Sequence, residues 1–447
     1  MRDSFEVCRT GLCDHSGMWT GGSERGGLER NGPRVGEAQA FGPAAAITRR
    51  AADRLRAGHL WVYRSDVEVF VPFTGSTGIA PGSLVTVMDG RGMPLGTAIY
   101  SDASQIAIRV VSAKAGVTRA EYLAEARLRV LAALDLRAEL APESAAENAC
   151  RLIFSEADGV PGVVADRYND LVVLQLLTQG TAQDDLRATV CEALVERLGG
   201  GVTVWERPDA RIRELERLSA PGAGPLHASG EPKASTVFTI NGLKFNFDAG
   251  SGQKTGAFLD QRLNYAAAAR YAHGVGLDIC TYQGGFALHM AQVCDRVTGV
   301  DASRGALEVA DRNSALNPDL KAEVDWIEAD AFELLREFDA SGQRFDTIVL
   351  DPPAFAKTKR AAEGAMRGYK EMNLRAMKML RPGGTLVTCS CSHHVPLVEF
   401  MEVVTAAASD AGRRVQLLET RGAAPDHPAV LTLAETSYLK CLICRVG

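Results

Sequence analysis

The chain has 447 residues, a formal net charge of −6, 46% hydrophobic and 23% charged residues. That size predicts about three domains, and that balance predicts a globular protein able to bury real cores. The acidic total excludes a globally basic nucleic-acid binder but not a local basic face. No stretch approaches the roughly 20 apolar residues of a membrane span, and the N-terminus has no apolar core of a secretory signal. Ten cysteines without a framework spacing predict reduced thiols in a cytoplasmic protein.

Residues 1–44 are glycine-rich with mixed charge and few aliphatics, and read as a flexible extension with Met18 as an alternative start. Residues 45–115 read as a small β-rich domain of barrel or sandwich type. It opens with the helix-like "RRAADRLRAGHLWVYRSDV". The runs "SLVTVMD" and "PLGTAIY" flank "GRG" as a hairpin, and "QIAIRVV" is a further strand. Residues 116–234 read as mixed. "RAEYLAEARLRVLAAL" has helical spacing through Leu123, Ala126, Val130 and Leu134. "CRLIFSEADGVPGVVADRYNDLVVLQLLT" predicts three strands, "DDLRATVCEALVERLG" a helix and "VTVWERPD" a strand. "SAPGAGPLHASGEPKAS" then reads as a boundary loop.

Residues 235–447 read as the last domain. "TVFTINGLKFNF" predicts a hairpin turning at Asn241-Gly242. From Ala266 strands and helices alternate, which predicts a mostly parallel sheet covered on both faces. In such a sheet the ligand lies outside the carboxyl ends of the strands. Those ends are "LDICTYQGG", "VTGVDAS", "IEADAF", "VLDPPAF" and "TCSCS".

The first turn is not G-x-G-x-x-G, and no G-x-x-x-x-G-K-[ST] occurs, so dinucleotide and nucleoside triphosphate binding are disfavoured. An acid on the first strand, a glycine turn, and acids ending the second and third strands suit S-adenosylmethionine. Asp278 would face its cationic methionine part, with Tyr282, Gly284 and Gly285 in the turn. Asp301 and Ser303 would lie at the ribose, and Asp330 and Phe332 at the adenine. The competing reading is that these acids are N-caps of the following helices.

"DPPAF" stiffens the fourth strand end with two prolines. There Asp351 can accept from a base, with Pro352, Pro353 and Phe355 holding a planar ring. Carbon 5 of a pyrimidine is a poor nucleophile until a thiolate adds at carbon 6, which is covalent catalysis by cysteine. "TCSCS" offers Cys389, still within the strand, and Cys391 at its end. The favoured reading makes Cys391 the nucleophile and Cys389 packing. The competitors are an inert core pair, zinc with His393 and His394, or a redox pair. Cys441 and Cys444 read as buried core. No metal is expected. Lys357, Lys359 and Arg360 open a run of eight Lys/Arg between Asp351 and Arg381 that could track phosphates, against the alternative of a solvated helix face. A basic, aromatic cluster in "RRAADRLRAGHLWVYR" suits grip on a structured RNA.

The stretches "GHLWVYRSDV", "DGVPGVVADRY", "GQKTGAFLDQR", "DICTYQGGFALH", "VTGVDAS", "DPPAFAK", "GYKEMN", "TCSCS", "DHP" and "YLK" resemble the bacterial large-subunit (23S) rRNA cytosine-5 methyltransferases that carry an N-terminal PUA domain. The resemblance runs from about Ile47 to the end. It implies an α/β fold: a PUA domain, a central α/β domain and a Rossmann-like class I methyltransferase domain with a seven-stranded mixed sheet. It implies S-adenosylmethionine as cofactor, large-subunit rRNA as partner, Cys391 as nucleophile, and Asp278, Asp301, Asp330 and Asp351 lining the site. It also places Gln253, Lys254, Asp260 and Arg262 beside the cofactor. Two features depart from the family pattern: Gln283 stands where Thr is usual, and the N-terminal extension has no counterpart in it. Many other RNA cytosine-5 methyltransferases carry a second cysteine in the fourth-strand motif; "DPPAF" has none, which leaves the carbon 5 base unassigned. An amino-methylating enzyme and a non-catalytic RNA-binding assembly factor remain alternatives, and a homodimer is left open.

Overall fold

The computed structural model describes residues 42–207, 209–250, 257–355 and 362–447. Nearly all of the predicted N-terminal extension, and with it Met18, lies outside the described residues. So do Gln253, Lys254, Lys357, Lys359 and Arg360.

The first unit contains β1 (Ala44–Ile47), α1 (Arg49–Arg56), β2 (Trp61–Tyr63), β3 (Val67–Val71), β4 (Leu84–Met88), β5 (Pro94–Tyr100) and β6 (Ile106–Ser112). Its strands form one sheet in the order β2-β6-β5-β4-β1-β3. β4 and β5 are antiparallel neighbours, as the "GRG" turn predicts. The helix is shorter than its opening pattern suggests. It ends at Arg56, Gly58 follows with φ of 91°, and "WVY" turns into β2. The Ala-rich β1 has little strand propensity of its own. It is a strand because it fits between β3 and β4.

The second unit contains α2 (Arg119–Leu140), β7 (Ala149–Phe154), β8 (Val163–Tyr168), β9 (Leu171–Leu176), α3 (Asp184–Leu198), β10 (Thr203–Glu206) and the short α4 (Ala210–Leu215). A capping box opens α2: the Thr118 side chain accepts from the Glu121 N–H, and the Glu121 side chain reaches back to the Thr118 N–H. Gly199, with φ of 86°, closes α3. The sheet order is β10-β9-β8-β7.

β11 (Ser235–Ile240) and β12 (Leu243–Asp248) pair around Asn241 and Gly242, which have φ of 50° and 84°. Two left-handed residues give the tight turn whose twist matches the strands. Phe238 and Phe245 of this hairpin share one core with Tyr168 and Val173 of the second unit and with Ala287 and Val349 of the last sheet.

The last unit contains α5 (Arg262–Tyr271), β13 (Val275–Ile279), α6 (Gly285–Ala291), β14 (Arg296–Asp301), α7 (Arg304–Ala315), β15 (Val324–Glu328), α8 (Ala331–Ala340), β16 (Phe345–Leu350), α9 (Ala362–Met379), β17 (Leu380–Ser390), α10 (Leu397–Ala411), β18 (Val415–Arg421) and β19 (Lys440–Val446). The sheet order is β15-β14-β13-β16-β17-β19-β18. β13 to β17 run parallel, and β19 is antiparallel to both neighbours. Side chains alternate between two cores. Val349 faces the core shared with the hairpin, while Ile348 and Leu350 face the core under α9 and α10. The strand order reverses between β13 and β16, so the crevice for a ligand opens at their carboxyl ends. No helix among the described residues is long and apolar enough to cross a membrane.

Candidate active site

The turn after β13 is tightly wound. Cys280, Tyr282 and Gly284 have φ of 65°, 52° and 87°. Two of these are not glycine, and left-handed backbone at such residues costs of order 1–3 kcal/mol each and gathers at functional sites. Gly284 and Gly285 are required by close approach. A Cβ on Gly284 would lie 2.9 Å from the Trp326 ring, and one on Gly285 would lie 2.5 Å from the Tyr265 ring.

Asp278 is wholly buried beneath this turn. Its Oδ2 accepts from the Thr281 hydroxyl (2.5 Å) and the Ala287 N–H (2.9 Å). Its Oδ1 is buried and has no hydrogen-bond partner. Burial pushes the carboxyl up to about 7, against both of those hydrogen bonds. A buried acceptor that the protein leaves unmatched fits a donor carried by a ligand, such as the ammonium of S-adenosylmethionine. Asp301 accepts from the Tyr282 N–H and the Ser303 N–H, both at 2.9 Å, and so ties the first turn to the second strand end. The Tyr282 ring meets Phe258 edge-on at 5.0 Å, and the Gln283 amide donates to the Tyr282 hydroxyl at 3.3 Å.

Some expected cofactor residues have helix-capping work. The Ser303 hydroxyl accepts from the Ala306 N–H and caps α7. Asp330 Oδ1 accepts from the Phe332 and Glu333 N–H groups and caps α8, and the residue is exposed. Arg262 is not brought to the turn. Its buried guanidinium pairs with Glu147 (3.0 Å) and Asp426 (3.4 Å), because α5 packs against the second unit there. Asp260 also faces elsewhere than expected: it accepts from the Tyr438 hydroxyl at 2.6 Å, on the side of the cysteines.

Asp351 follows β16 directly, its N–H bonded to the Ile279 carbonyl across the strand-order reversal. Gln261 donates to its Oδ2 at 3.1 Å, and Asn264 holds Gln261 at 2.6 Å. Pro352 is buried and Pro353 exposed. Phe355 packs on Phe332 (5.8 Å) and Tyr369 (4.8 Å). Phe332, Phe355 and the exposed Arg367 line an open cleft of about 420 Å³.

The two cysteines part company. Cys389 is wholly buried in β17 opposite Cys441, and burial together with Cys441 raises its thiol well above the usual value. Cys391 lies one residue past the end of β17, is partly exposed, and has its Sγ 3.9 Å from the Pro352 carbonyl. The Tyr369 hydroxyl bonds Ser390 (3.0 Å) and Ser392 (2.9 Å), fixing the residues on either side of Cys391. Cys441 and Cys444 belong to opposite cores of the sheet, which rules out a C-x-x-C redox pair. Among the described residues no group of three or more His, Cys, Asp or Glu is placed to hold a metal ion.

Gln261, Asn264, Tyr369, Tyr438 and Lys440 stand behind the site, and their residue types carry no local sign of it. The quoted stretches "GQKTGAFLDQR", "GYKEMN" and "YLK" contain four of the five. The basic run is less open than its composition suggests. Lys370, Arg375 and Arg381 are paired with Asp410, Asp339 and Asp346. In the first unit Arg54 and Arg56 pair with Asp66 and Asp89.

Residues 161–445 match a family of S-adenosylmethionine-dependent methyltransferases, and residues 46–113 match a PUA-like domain. The chain is 38% identical to ribosomal RNA large subunit methyltransferase I of Pseudoalteromonas translucida (strain TAC 125), over 88% of this chain and 96% of that one. It is 39% identical to the protein of that name from Shewanella amazonensis (strain ATCC BAA-1098 / SB2B), over 87% and 95%. A solved Streptococcus mutans chain described as a SAM-dependent methyltransferase superposes with a TM-score of 0.74 at 18% identity, covering 90% of this chain and 99% of that one. A structure described as a methyltransferase complexed with SAH gives the same values. The α/β fold, the PUA-like domain and the cofactor class are therefore those the sequence motifs imply, and the chain belongs to the S-adenosylmethionine-dependent methyltransferases, in the family of ribosomal RNA large subunit methyltransferase I.

Proposed function

We propose that this chain methylates carbon 5 of a cytosine in large-subunit ribosomal RNA through a covalent adduct of Cys391. The observation that carries this reading is the placement of Cys391. It is the partly exposed cysteine at the end of β17, beside the Asp351-Pro352 strand end, while Cys389 is sealed in the core. The relatives' name supplies the RNA class.

The chemistry divides among the chain's residues. Asp278, through its unmatched oxygen, takes the cationic end of the cofactor. Tyr282, Gly284, Gly285 and Asp301 shape its cradle, and Asp330 and Phe332 border its far end. S-adenosylmethionine bound there supplies an electrophilic methyl group to carbon 5. Asp351, oriented by Gln261, holds the polar edge of the flipped cytosine, and Pro352, Pro353 and Phe355 hold its plane. The Cys391 thiolate adds to carbon 6, and its electron pair makes carbon 5 nucleophilic. After methylation a base takes the carbon 5 proton, the carbon 5–carbon 6 double bond reforms, and the thiolate leaves. The positive charge of Lys357, Lys359 and Arg360 would serve the RNA backbone.

The test incubates unmodified ribosomal RNA with methyl-labelled S-adenosylmethionine and identifies the labelled nucleoside. Wild type and Cys389→Ala are expected to give 5-methylcytidine and Cys391→Ala none. Label on an exocyclic amino group in all three would assign the chemistry to "DPPAF". Cofactor binding without any transfer would make the chain an RNA-binding factor.

A further inference from the structure

We propose that Lys440 is the charge partner that holds Cys391 as a thiolate, acting as a positioning residue for the nucleophile. This rests on the reading of Cys391 given above. Lys440 is the first residue of β19 and pairs with Ser390 across the sheet. Its Nζ donates to the Ser392 carbonyl and to the Tyr438 carbonyl, each at 2.7 Å. Those two bonds pin the ammonium beside the backbone that carries Cys391. Lys440 is only 6% exposed.

A buried ammonium without an anion is costly. The other buried cations here have carboxylates: Arg137 has Asp158, Arg213 has Glu206, and Arg262 has Glu147 and Asp426. Among the described residues no carboxylate forms an ion pair with Lys440. The charge that favours its ammonium is that of Cys391. Burial lowers the Lys440 pKa to about 8, and Cys391 pulls against that.

The surrounding groups do not replace it. His393, from the loop after β17, is held below its usual pKa by burial and then by the Lys440 charge, so it stays neutral. Tyr438 bonds Asp260, and burial first and Asp260 next keep its hydroxyl protonated. Tyr369, from α9, is likewise kept neutral by burial, and its hydroxyl accepts from the Ser390 hydroxyl and shares a hydrogen bond with that of Ser392. A free thiol near 8.5 is only a few per cent ionised at neutral pH, and a fixed neighbouring cation is the usual remedy.

The experiment follows alkylation of Cys391 by iodoacetamide against pH, read by mass spectrometry on the Cys391 peptide. No RNA and no turnover are needed. The wild-type midpoint is expected below the usual thiol value of about 8.5. Lys440→Met is expected to raise it by at least one pH unit, and Lys440→Arg to keep it low. Methyl transfer at pH 7 should fall roughly tenfold in Lys440→Met, since a one-unit rise costs tenfold in thiolate, and should recover as pH rises. A wild-type midpoint at or above 8.5, or no shift in a folded Lys440→Met, overturns the proposal. The wild-type measurement decides even if the variant does not fold. If Cys391→Ala still makes 5-methylcytidine while the midpoint is low and depends on Lys440, the pairing holds and the nucleophile assignment fails.

Discussion

Asp278 shows how one buried atom connects folding to function. Its carboxyl is held up to about 7 by burial, and one of its oxygens has no protein donor. A cationic ligand favours the ionised form. Cofactor affinity is therefore expected to rise as pH climbs through about 7 and to level off above it, measured by calorimetry on the RNA-free protein. Asp278→Asn should remove that dependence and weaken binding by ten- to hundredfold, about 1.5–3 kcal/mol for a hydrogen bond to a charged group. Gly285→Ala should cost about 1–3 kcal/mol in thermal unfolding, because its Cβ would meet the Tyr265 ring at 2.5 Å.

At the scale of elements, the strand ends do the work and the helices fix them. α9 places Tyr369 so that its ring packs on Phe355 and its hydroxyl bonds Ser390 and Ser392. It thus links the "DPPAF" turn to the cysteine segment. Tyr369→Phe removes both hydroxyl bonds and leaves buried serines short of a partner. A loss of about 1–3 kcal/mol is expected in denaturant unfolding, with a fall in methyl transfer larger than any change in cofactor affinity. The strand-helix alternation, the Asn-Gly hairpin and the packing of Cys389 were legible because period, turn chemistry and strand-end position are local signals. β1 was not, since Ala44, Ala45 and Ala46 become a strand only between two partners. The early end of α1 was hidden by a helical pattern that runs past Gly58. Gln261 and Lys440 were hidden for another reason: each matters through a contact made across the sheet or between units, over 90 and 48 residues of chain. Arg262 misled because its neighbours in sequence are near the site, while its side chain points back to the second unit.

At the scale of the molecule, the loop between β18 and β19 touches every unit. The Thr432 hydroxyl donates to the Gly58 carbonyl of the first unit at 2.7 Å. Asp426 accepts from the Arg151 N–H at 2.9 Å, and Arg137 donates to the Asp426 carbonyl at 3.0 Å. The same loop ends at Tyr438 and Lys440 beside Cys391. Burial works to raise the Asp426 pKa, but His427, Arg262 and the Arg151 N–H outweigh it and hold the carboxylate at about 2. A depressed carboxyl contributes stability above its unfolded value. That stability is expected to fade as pH falls from about 4 through about 2. Asp426→Ala strands Arg262 beside a single carboxylate, and a loss of about 3–5 kcal/mol is expected by chemical denaturation at pH 7.

The central claim is the covalent adduct. The direct measurement uses ribosomal RNA carrying 5-fluorocytidine, with S-adenosylmethionine present. Fluorine at carbon 5 cannot leave as a proton does, so the enzyme stays attached at carbon 6. Wild type and Cys389→Ala should give a denaturation-resistant enzyme–RNA complex, with the mass of the adduct on the Cys391 peptide, and Cys391→Ala should give none. A complex that persists in Cys391→Ala, or mapping of the adduct to another residue, would contradict the account.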